Sequence, residues 1–487
     1  MDVSWAEVHT ARSNYNWTAI DSLLQFADDQ NQVFTVKIGT VGSSGVGKSH
    51  PPWMFSAGVP SFIENPDIGF TYGYYLDPEF KIYYEEMVRA FAKHLRQDVA
   101  SNLQDRIAFI RVDTGATGDE EPYENGDNVP LQYKISAAEW LDYREWAFEV
   151  HRQAFQEGPG PVIPLLFVHV EPGQYDDEWD WINNNVTGGM GVKYDGSTRG
   201  HHLSFSGDTP KAYKAIAEDS DAKLFSRSEM DQSYSLPFWQ LNVRLNYYWC
   251  ALEQLNAGMS IWDVTENALE DMSAGGYEES FTLFNLWAAE LVPATARGGF
   301  CVFHKGLDSS DASMFPLADY GGGDFNKTNT NRYEAICASN AVNGAQMDSP
   351  YFATLLQVAQ RKRATASEVG FNDSGWGIHA GNYDRFITQI NPETTSIGRW
   401  RVRGTLTPSS HPYDRFARGF GSASSMMYFD VNDRLTPNPG QRIELSVVYL
   451  DEGTGDFALK YDAVGDSQKT AFTVTKTNSN TWKTNSV

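Results

Sequence analysis

The stretch Arg106-Ile-Ala-Phe-Ile-Arg-Val-Asp-Thr-Gly-Ala-Thr-Gly-Asp-Glu-Glu-Pro-Tyr123 divides into two halves of opposite character. Residues 107 to 112 are apolar apart from Arg111, the pattern of a strand buried on both faces of a parallel sheet. A polar, glycine-punctuated loop follows and carries Asp113, Asp119, Glu120 and Glu121. In a parallel α/β barrel the catalytic groups sit where strands end and βα loops begin, so carboxylates gathered there are candidates for chemistry. A solvated acidic turn is the plainer account of the same run.

Working outward, residues 81 to 102 read as an amphipathic helix feeding that strand, residues 137 to 156 as a second helix and residues 162 to 170 as a second buried strand. Upstream, residues 17 to 27 have helical spacing, residues 33 to 41 read as a strand, and a poor strand is placed near residues 3 to 8. Downstream come an irregular stretch at 171 to 209, a short helix near 210 to 218, a strand at 223 to 227, a Trp/Tyr-rich helix at 237 to 256 and a strand at 259 to 264. Helices alternating with roughly eight short apolar strands predict a (β/α)8 TIM barrel over residues 1 to 300. Residues 301 to 370, with one helix near 350 to 363, are read as completing the barrel and connecting it onward. From about 371 to 487 the texture changes to short strands of alternating polarity (398 to 406, 424 to 431, 441 to 450, 457 to 461, 470 to 477) separated by Gly, Asn, Asp and Pro turns. That texture predicts a β-sandwich of jelly-roll type. There are no internal repeats.

Composition narrows the function. The 487 residues carry a net charge of -25, which argues against nucleic acid as a partner. An acidic surface suits a protein working in salty medium, where screening weakens its self-repulsion, and disfavours a densely sulfated polymer unless the cleft is locally basic. The aromatic share is 14%, with 14 Trp and 24 Tyr, generous for a core; core and interdomain packing accounts for most of them, and Trp and Tyr also make flat platforms on which sugar rings can stack. Cys250, Cys301 and Cys337 form no disulfide framework and match no zinc spacing. No segment has the ~18 apolar residues of a membrane span, and no signal peptide is present, although the chain starts abruptly inside patterned sequence. A processed secreted, periplasmic or cell-surface protein is the expectation. No cofactor is called for; the Asp- and Asn-rich loops of the C-terminal strands leave room for a structural calcium without forming a known ligand loop. Oligomeric state is not legible.

Residues 42 to 49, Gly-Ser-Ser-Gly-Val-Gly-Lys-Ser, satisfy the phosphate-loop pattern in full and follow an apolar strand. The mechanism of that motif needs a helix beginning at the Lys-Ser pair, with phosphates at its N-terminus. His50-Pro51-Pro52-Trp53 follows instead, and consecutive prolines remove donors and push their predecessors out of α space. A βα loop at the mouth of a barrel is preferred, with magnesium-dependent nucleotide binding through Lys48 as the rival.

Hydrolysis of a glycosidic bond needs two carboxyl groups, one protonated to assist the leaving oxygen and one ionised as nucleophile or base. The Asp-Glu-Glu cluster supplies one candidate; Glu229, closing Lys223-Leu-Phe-Ser-Arg-Ser-Glu, supplies the other. Arg227, two residues earlier, falls on the same side of an extended chain and would hold that carboxylate ionised. Other predicted strand ends carry His169 and Glu171, then Trp262 with Asp263 and Glu266, while His201 and His202 lie in the irregular stretch. Trp53, Tyr123, Trp179, Trp181 and Trp262 are candidates for stacking on sugar rings, with Asp113, His169, Glu171, His202 and Arg227 as further substrate contacts.

Trp5-Ala-Glu7, Tyr15-Asn-Trp17 and Ile20-Asp21 together resemble the W-x-E…Y-x-W-x-x-I-D opening of clan A glycoside hydrolases of the β-galactosidase and agarase type, without the usual proline after the first element. Pro52-Trp53 is similar to the P-x-W loop of the same enzymes, and residues 448 to 461 look like strands from the accessory jelly rolls of secreted polysaccharide hydrolases. The resemblance covers roughly residues 3 to 270. It implies a (β/α)8 barrel that hydrolyses β-glycosidic bonds with retention, using an acid/base Glu after the fourth strand and a nucleophile Glu after the seventh. By position these are Glu120, as acid/base, and Glu229, as nucleophile. Because the commoner Asn-Glu-Pro form is missing, Glu121 competes for the first role. Agarases, porphyranases and carrageenases acting on weakly sulfated chains are the enzymes of this kind that fit, with a polysaccharide as the implied partner. A non-catalytic carbohydrate-binding protein and a polysaccharide lyase with His202 or Tyr194 as base stay open.

Overall fold

A computed structural model describes residues 2–41, 50–65, 70–116, 121–123, 128–168, 176–194, 204–205, 224–229, 243–302, 376–377, 382–399, 417–420, 424–435, 440 and 442–487. The chain divides into two compact units, Met1–Tyr194 with Ala215–Arg227, and Asp195–Lys214 with Ser228–Val487.

Seven strands share one sheet, in chain order across it: β1 (Asp2–Ser4), β2 (Phe34–Gly39), β3 (Ile107–Arg111), β4 (Leu165–Phe167), β5 (Met190–Tyr194), β6 (Leu224–Glu229) and β7 (Ile261–Asp263). The ladders from β1 to β5 are all parallel. Sequential parallel strands need a crossover between each pair, and among the described residues helices supply it after each of β1 to β4 and after β6: α1 (Thr18–Asp29), α2 (Pro78–Lys93), α3 (Ala137–Gln156), α4 (Asp176–Asn185) and α5 (Val243–Asn256); the chain between β5 and β6 lies outside the described residues apart from 204–205. This order is that of a (β/α) barrel wall, with seven strands among the described residues. Within the first unit, Phe109 of β3 meets Phe225 of β6 with ring centroids 5.0 Å apart. A Cβ on Gly191 of β5 would lie 2.3 Å from the Phe225 ring, so only glycine leaves room for it there.

Several boundaries differ from the sequence reading for identifiable reasons. The first strand ends at Ser4, and Trp5–Val8 forms a helical turn instead. Helix α2 starts three residues early because Asp77 caps it, accepting from the amides of Glu79 (2.9 Å) and Phe80 (3.2 Å), with Pro78 at the first helical position. It ends as a wide π turn, His94–Asp98, that carries buried Arg96 onto the carbonyls of Pro161 (2.7 Å) and Glu157 (2.6 Å) beyond α3. A helix also begins at Pro52, although only Pro52–Ser56 is helical, so the double proline permits a short start four residues past Lys48. The stretch read as irregular holds α4 and β5. In α4 only Glu178, Trp179 and Ile182 are buried, too few to show a period, and in β5 the glycine that admits Phe225 weakens the strand signal.

The second unit holds α5, α6 (Glu266–Gly275) and α7 (Glu278–Trp287), followed by antiparallel ladders. Gly276, at φ 69°, ends α6 in the left-handed region. Arg385 ties the first ladder, Phe300–Val302 with Tyr383–Arg385, to the helices by donating to the carbonyls of Leu255 (2.5 Å) and Trp287. Further two-stranded ladders pair Ile387–Ile390 with Tyr428–Val431, Ser396–Arg399 with Ala417–Phe420, Ser446–Leu450 with Trp482–Ser486, and Thr454–Ala463 with Asp466–Thr477. The last two are clasped by Asp451, whose buried carboxylate accepts from Thr477, Ser479 and Lys483 (2.6 Å) and is held far below the ordinary carboxylate range by those bonds. Strands expected at 424 to 431, 441 to 450, 457 to 461 and 470 to 477 overlap these ladders; most of the one expected at 398 to 406, the helix expected near 350 to 363 and the one near 210 to 218 lie outside the described residues.

Candidate active site

The end of β3 is the best-defined part of the candidate site. Asp113 is buried two residues past the strand, and its Oδ2 lies 2.8 Å from the Nζ of Lys37 on β2, also buried. Lys37 reaches Asp2 of β1 as well, at 3.4 Å. Burial pulls the lysine's proton affinity down, but the Asp113 and Asp2 carboxylates outweigh it and leave Lys37 firmly charged despite nearby Arg111. Oδ1 of Asp113 accepts from the Thr40 hydroxyl (3.0 Å) and, at 3.4 Å, from the Thr40 amide, while Tyr84 donates to the Asp113 carbonyl (2.7 Å). The candidate substrate contact Asp113 is thus engaged in a buried ion pair.

Beyond it, Ala116 bridges Val41 on one side and Glu121 on the other, and its amide donates to the Glu121 carbonyl at 2.7 Å. This closes the neck of the acidic loop. Glu121 is exposed immediately after the neck; Asp119 and Glu120 lie outside the described residues. Tyr123 turns inward, with its ring packed on Phe62 (5.2 Å), Tyr72 (5.2 Å) and Tyr75 (5.6 Å) and its hydroxyl donating to the Tyr133 carbonyl (2.9 Å). Its phenol, whose proton affinity burial raises, is a core group here.

Two histidines support the loops after β1 and β2. His50 is fully buried in a cage of Trp5, Tyr72, Tyr75 and Phe80, all four rings steeply inclined to its own. Its Nδ1 accepts from the Gly73 amide (2.9 Å). Burial lowers its pKa to about 3. His9 accepts from Trp5 Nε1 at Nδ1 (3.1 Å), and its pKa is lowered to about 4 for the same reason. The indole of Trp53 donates to the His9 carbonyl (2.7 Å) and packs edgewise on Tyr83, leaving it half-buried. Tyr15 and Trp17 are stacked 5.5 Å apart, with His9 on the far side of Tyr15 (4.4 Å) and His94 against Trp17 (5.2 Å).

At the end of β4, buried Arg144 of α3 donates to the Val168 carbonyl (2.7 Å) and pairs with buried Glu178 of α4 (3.2 Å). It thereby fixes the point where the chain leaves for His169 and Glu171, which lie outside the described residues. Trp179 is buried; Trp181 is half-buried beside Phe148, at 5.9 Å. Glu229 is the last residue of β6, and Arg227 on the same strand is half-buried. Trp262 of β7 is half-buried among Tyr247 (5.8 Å), Phe281 (5.2 Å) and Phe284 (5.4 Å). Tyr194 closes β5, while His202 and Lys48 lie outside the described residues. Among the described residues no group of three or more His, Cys, Asp or Glu could hold a metal ion, and no helix is long and apolar enough to cross a membrane.

Sequence reasoning missed Lys37, Thr40, Tyr84, Arg144, Glu178, His9 and His50. Lys37 alone left a signal: a single charge inside Phe-Thr-Val-Lys-Ile-Gly, which a buried strand tolerates only with partners.

No family model matches the chain, and no curated protein matches it. Among solved structures, the chain is similar to the catalytic domain of a β-amylase from Paenibacillus polymyxa at 10% identity, over 59% of this chain and 89% of that one, with a TM-score of 0.38. It is also similar to a thermostable mutant of a xylanase from Cellvibrio japonicus at 13% identity, over 53% and 72% of the two chains, with a TM-score of 0.29. At these values the likeness carries no argument about activity.

Proposed function

We propose that this chain is a retaining, endo-acting glycoside hydrolase that cleaves β-glycosidic bonds of a polysaccharide, with an algal galactan such as agar, porphyran or weakly sulfated carrageenan as substrate. The observation that carries the reading is the sheet: its strands follow one another in chain order with helical crossovers, and carboxylates sit at the ends of β3 and β6. In that architecture, strand ends are where catalytic groups are found. Glu120 acts as acid/base and Glu229 as nucleophile, with carboxyl groups about 5.5 Å apart, as a double displacement requires. Exposed Glu121 is the alternative donor. Half-buried Trp53, Trp181 and Trp262 offer rings to the sugar, and half-buried Arg227 keeps the nucleophile ionised. The barrel is assigned to residues 1 to 300 and a connecting segment to 301 to 370. The ladders from 371 onward form a β-sandwich accessory domain, and the protein works outside the cytoplasm.

The test is a panel of agarose, porphyran, carrageenans and plant polysaccharides, with products sized by chromatography. Glu120→Gln and Glu229→Gln should each lower turnover by about two orders of magnitude or more, with binding and thermal unfolding nearly unchanged. Ordinary turnover in both variants removes the two-carboxylate assignment. Binding without new reducing ends would leave a carbohydrate-binding protein, and products absorbing in the ultraviolet would mark a lyase.

A further inference from the structure

We propose that buried Lys37 is the positioning residue of Glu121: its ammonium, held by Asp113 and Asp2, locks the Ala116–Glu121 bridge at the neck of the acidic loop. The catalytic consequence rests on the glycosidase reading; the lock itself does not.

Three observations carry it. First, a buried lysine is costly, and an apolar side chain of similar volume would fill the same space without desolvating an ion, so packing alone does not explain the charge. Second, both Asp113 oxygens are directed at β2 and its exit, Oδ2 to Lys37 (2.8 Å) and Oδ1 to Thr40 (3.0 Å to the hydroxyl), the residue after the strand. The Thr40 hydroxyl also lies against the Gly115 carbonyl, and its one proton serves either acceptor. Tyr84 of α2 fixes the Asp113 carbonyl from outside the sheet (2.7 Å). Third, Gly115 leads directly to Ala116, the residue that bridges both Val41 and Glu121. The charge on Lys37 is therefore connected to Glu121 through contiguous contacts: Asp113, Thr40, Gly115 and Ala116. Arg111 is the like charge nearby and Asp2 the second counter-ion, so the cation keeps a carboxylate on either side.

The experiment uses the full chain as Lys37→Met and as the double variant Lys37→Met/Asp113→Asn, which leaves no unpaired buried carboxylate should the single variant fail to fold. Deuterium exchange is followed in the peptide spanning residues 112 to 123, alongside kinetics on agarohexaose. The double variant should melt near the parent and keep parental exchange in α3, yet exchange the Ala116 amide about tenfold faster. On agarohexaose its kcat should fall about tenfold or more, with KM within about twofold. Parental exchange at Ala116, or faster exchange throughout the chain, overturns the lock. A loosened neck with unchanged kcat overturns the positioning role. If the parent does not cleave agarohexaose, the exchange result still decides the lock, and the glycosidase reading is judged separately on the polysaccharide panel.

Discussion

His50 shows how a titratable side chain becomes a structural one. Its Nδ1 is committed to the Gly73 amide, so the single proton of the neutral ring sits on Nε2 among aromatic rings, and a second proton would have to break the Gly73 bond inside a fully buried site. With its pKa at about 3, and that of His9 at about 4, both rings stay neutral in the folded chain while the unfolded chain protonates them near 6.5. The unfolded state then binds more protons below that value, so stability falls as pH drops from about 6.5 towards 4 and is level above 7. Each histidine contributes a slope of up to about 1.4 kcal/mol per pH unit. Melting followed by circular dichroism between pH 5 and 8, above most carboxylate titration, should show this slope; a flat profile would mean that water reaches both rings. None of this was legible in the sequence. A histidine after a Gly/Ser loop looks like a loop residue until the four rings that enclose it are assembled from residues 5, 72, 75 and 80.

Elements were legible in proportion to how much of their stability is local. Helix α3 spans the residues its apolar period indicates, and its start is written into the sequence: Ser136 accepts from the Glu139 amide (3.3 Å) and Glu139 from the Ser136 amide (2.9 Å), a reciprocal cap. Ser136→Ala should cost about 1 kcal/mol and lower the melting temperature by about 2 °C or more, measured by calorimetry. Strand β5 was missed for the opposite reason. Gly191 is there to admit Phe225, more than thirty residues on, and no local pattern announces a ring arriving from so far along the chain. The acidic run after β3 falls between these cases. That a strand would end there was plain from apolar content, whereas the ion pair that pins its end joins Asp113, two residues past β3, to Lys37 of β2 and through it to Asp2 of β1.

At the scale of the whole chain, a net charge of -25 is a standing repulsion that ions in solution relieve. Screening acts over about 10 Å at 0.1 M salt and shorter distances above it. Raising sodium chloride from 0.05 to 0.5 M should therefore raise the melting temperature by a few degrees, read by scanning fluorimetry. A fall would show that attractive surface pairs outweigh the repulsion. The barrel order was legible as an alternation of helices and strands, but the division of the chain was not, since the boundary between the two units runs through β6, between Arg227 and Ser228. Neither unit can be excised with clean ends: a cut there severs one strand into two stubs, each with backbone donors and acceptors bared along its flank. Such stubs recruit the nearest available edge, so a fragment ending at that seam would tend to clump with its own kind rather than fold as a smaller protein.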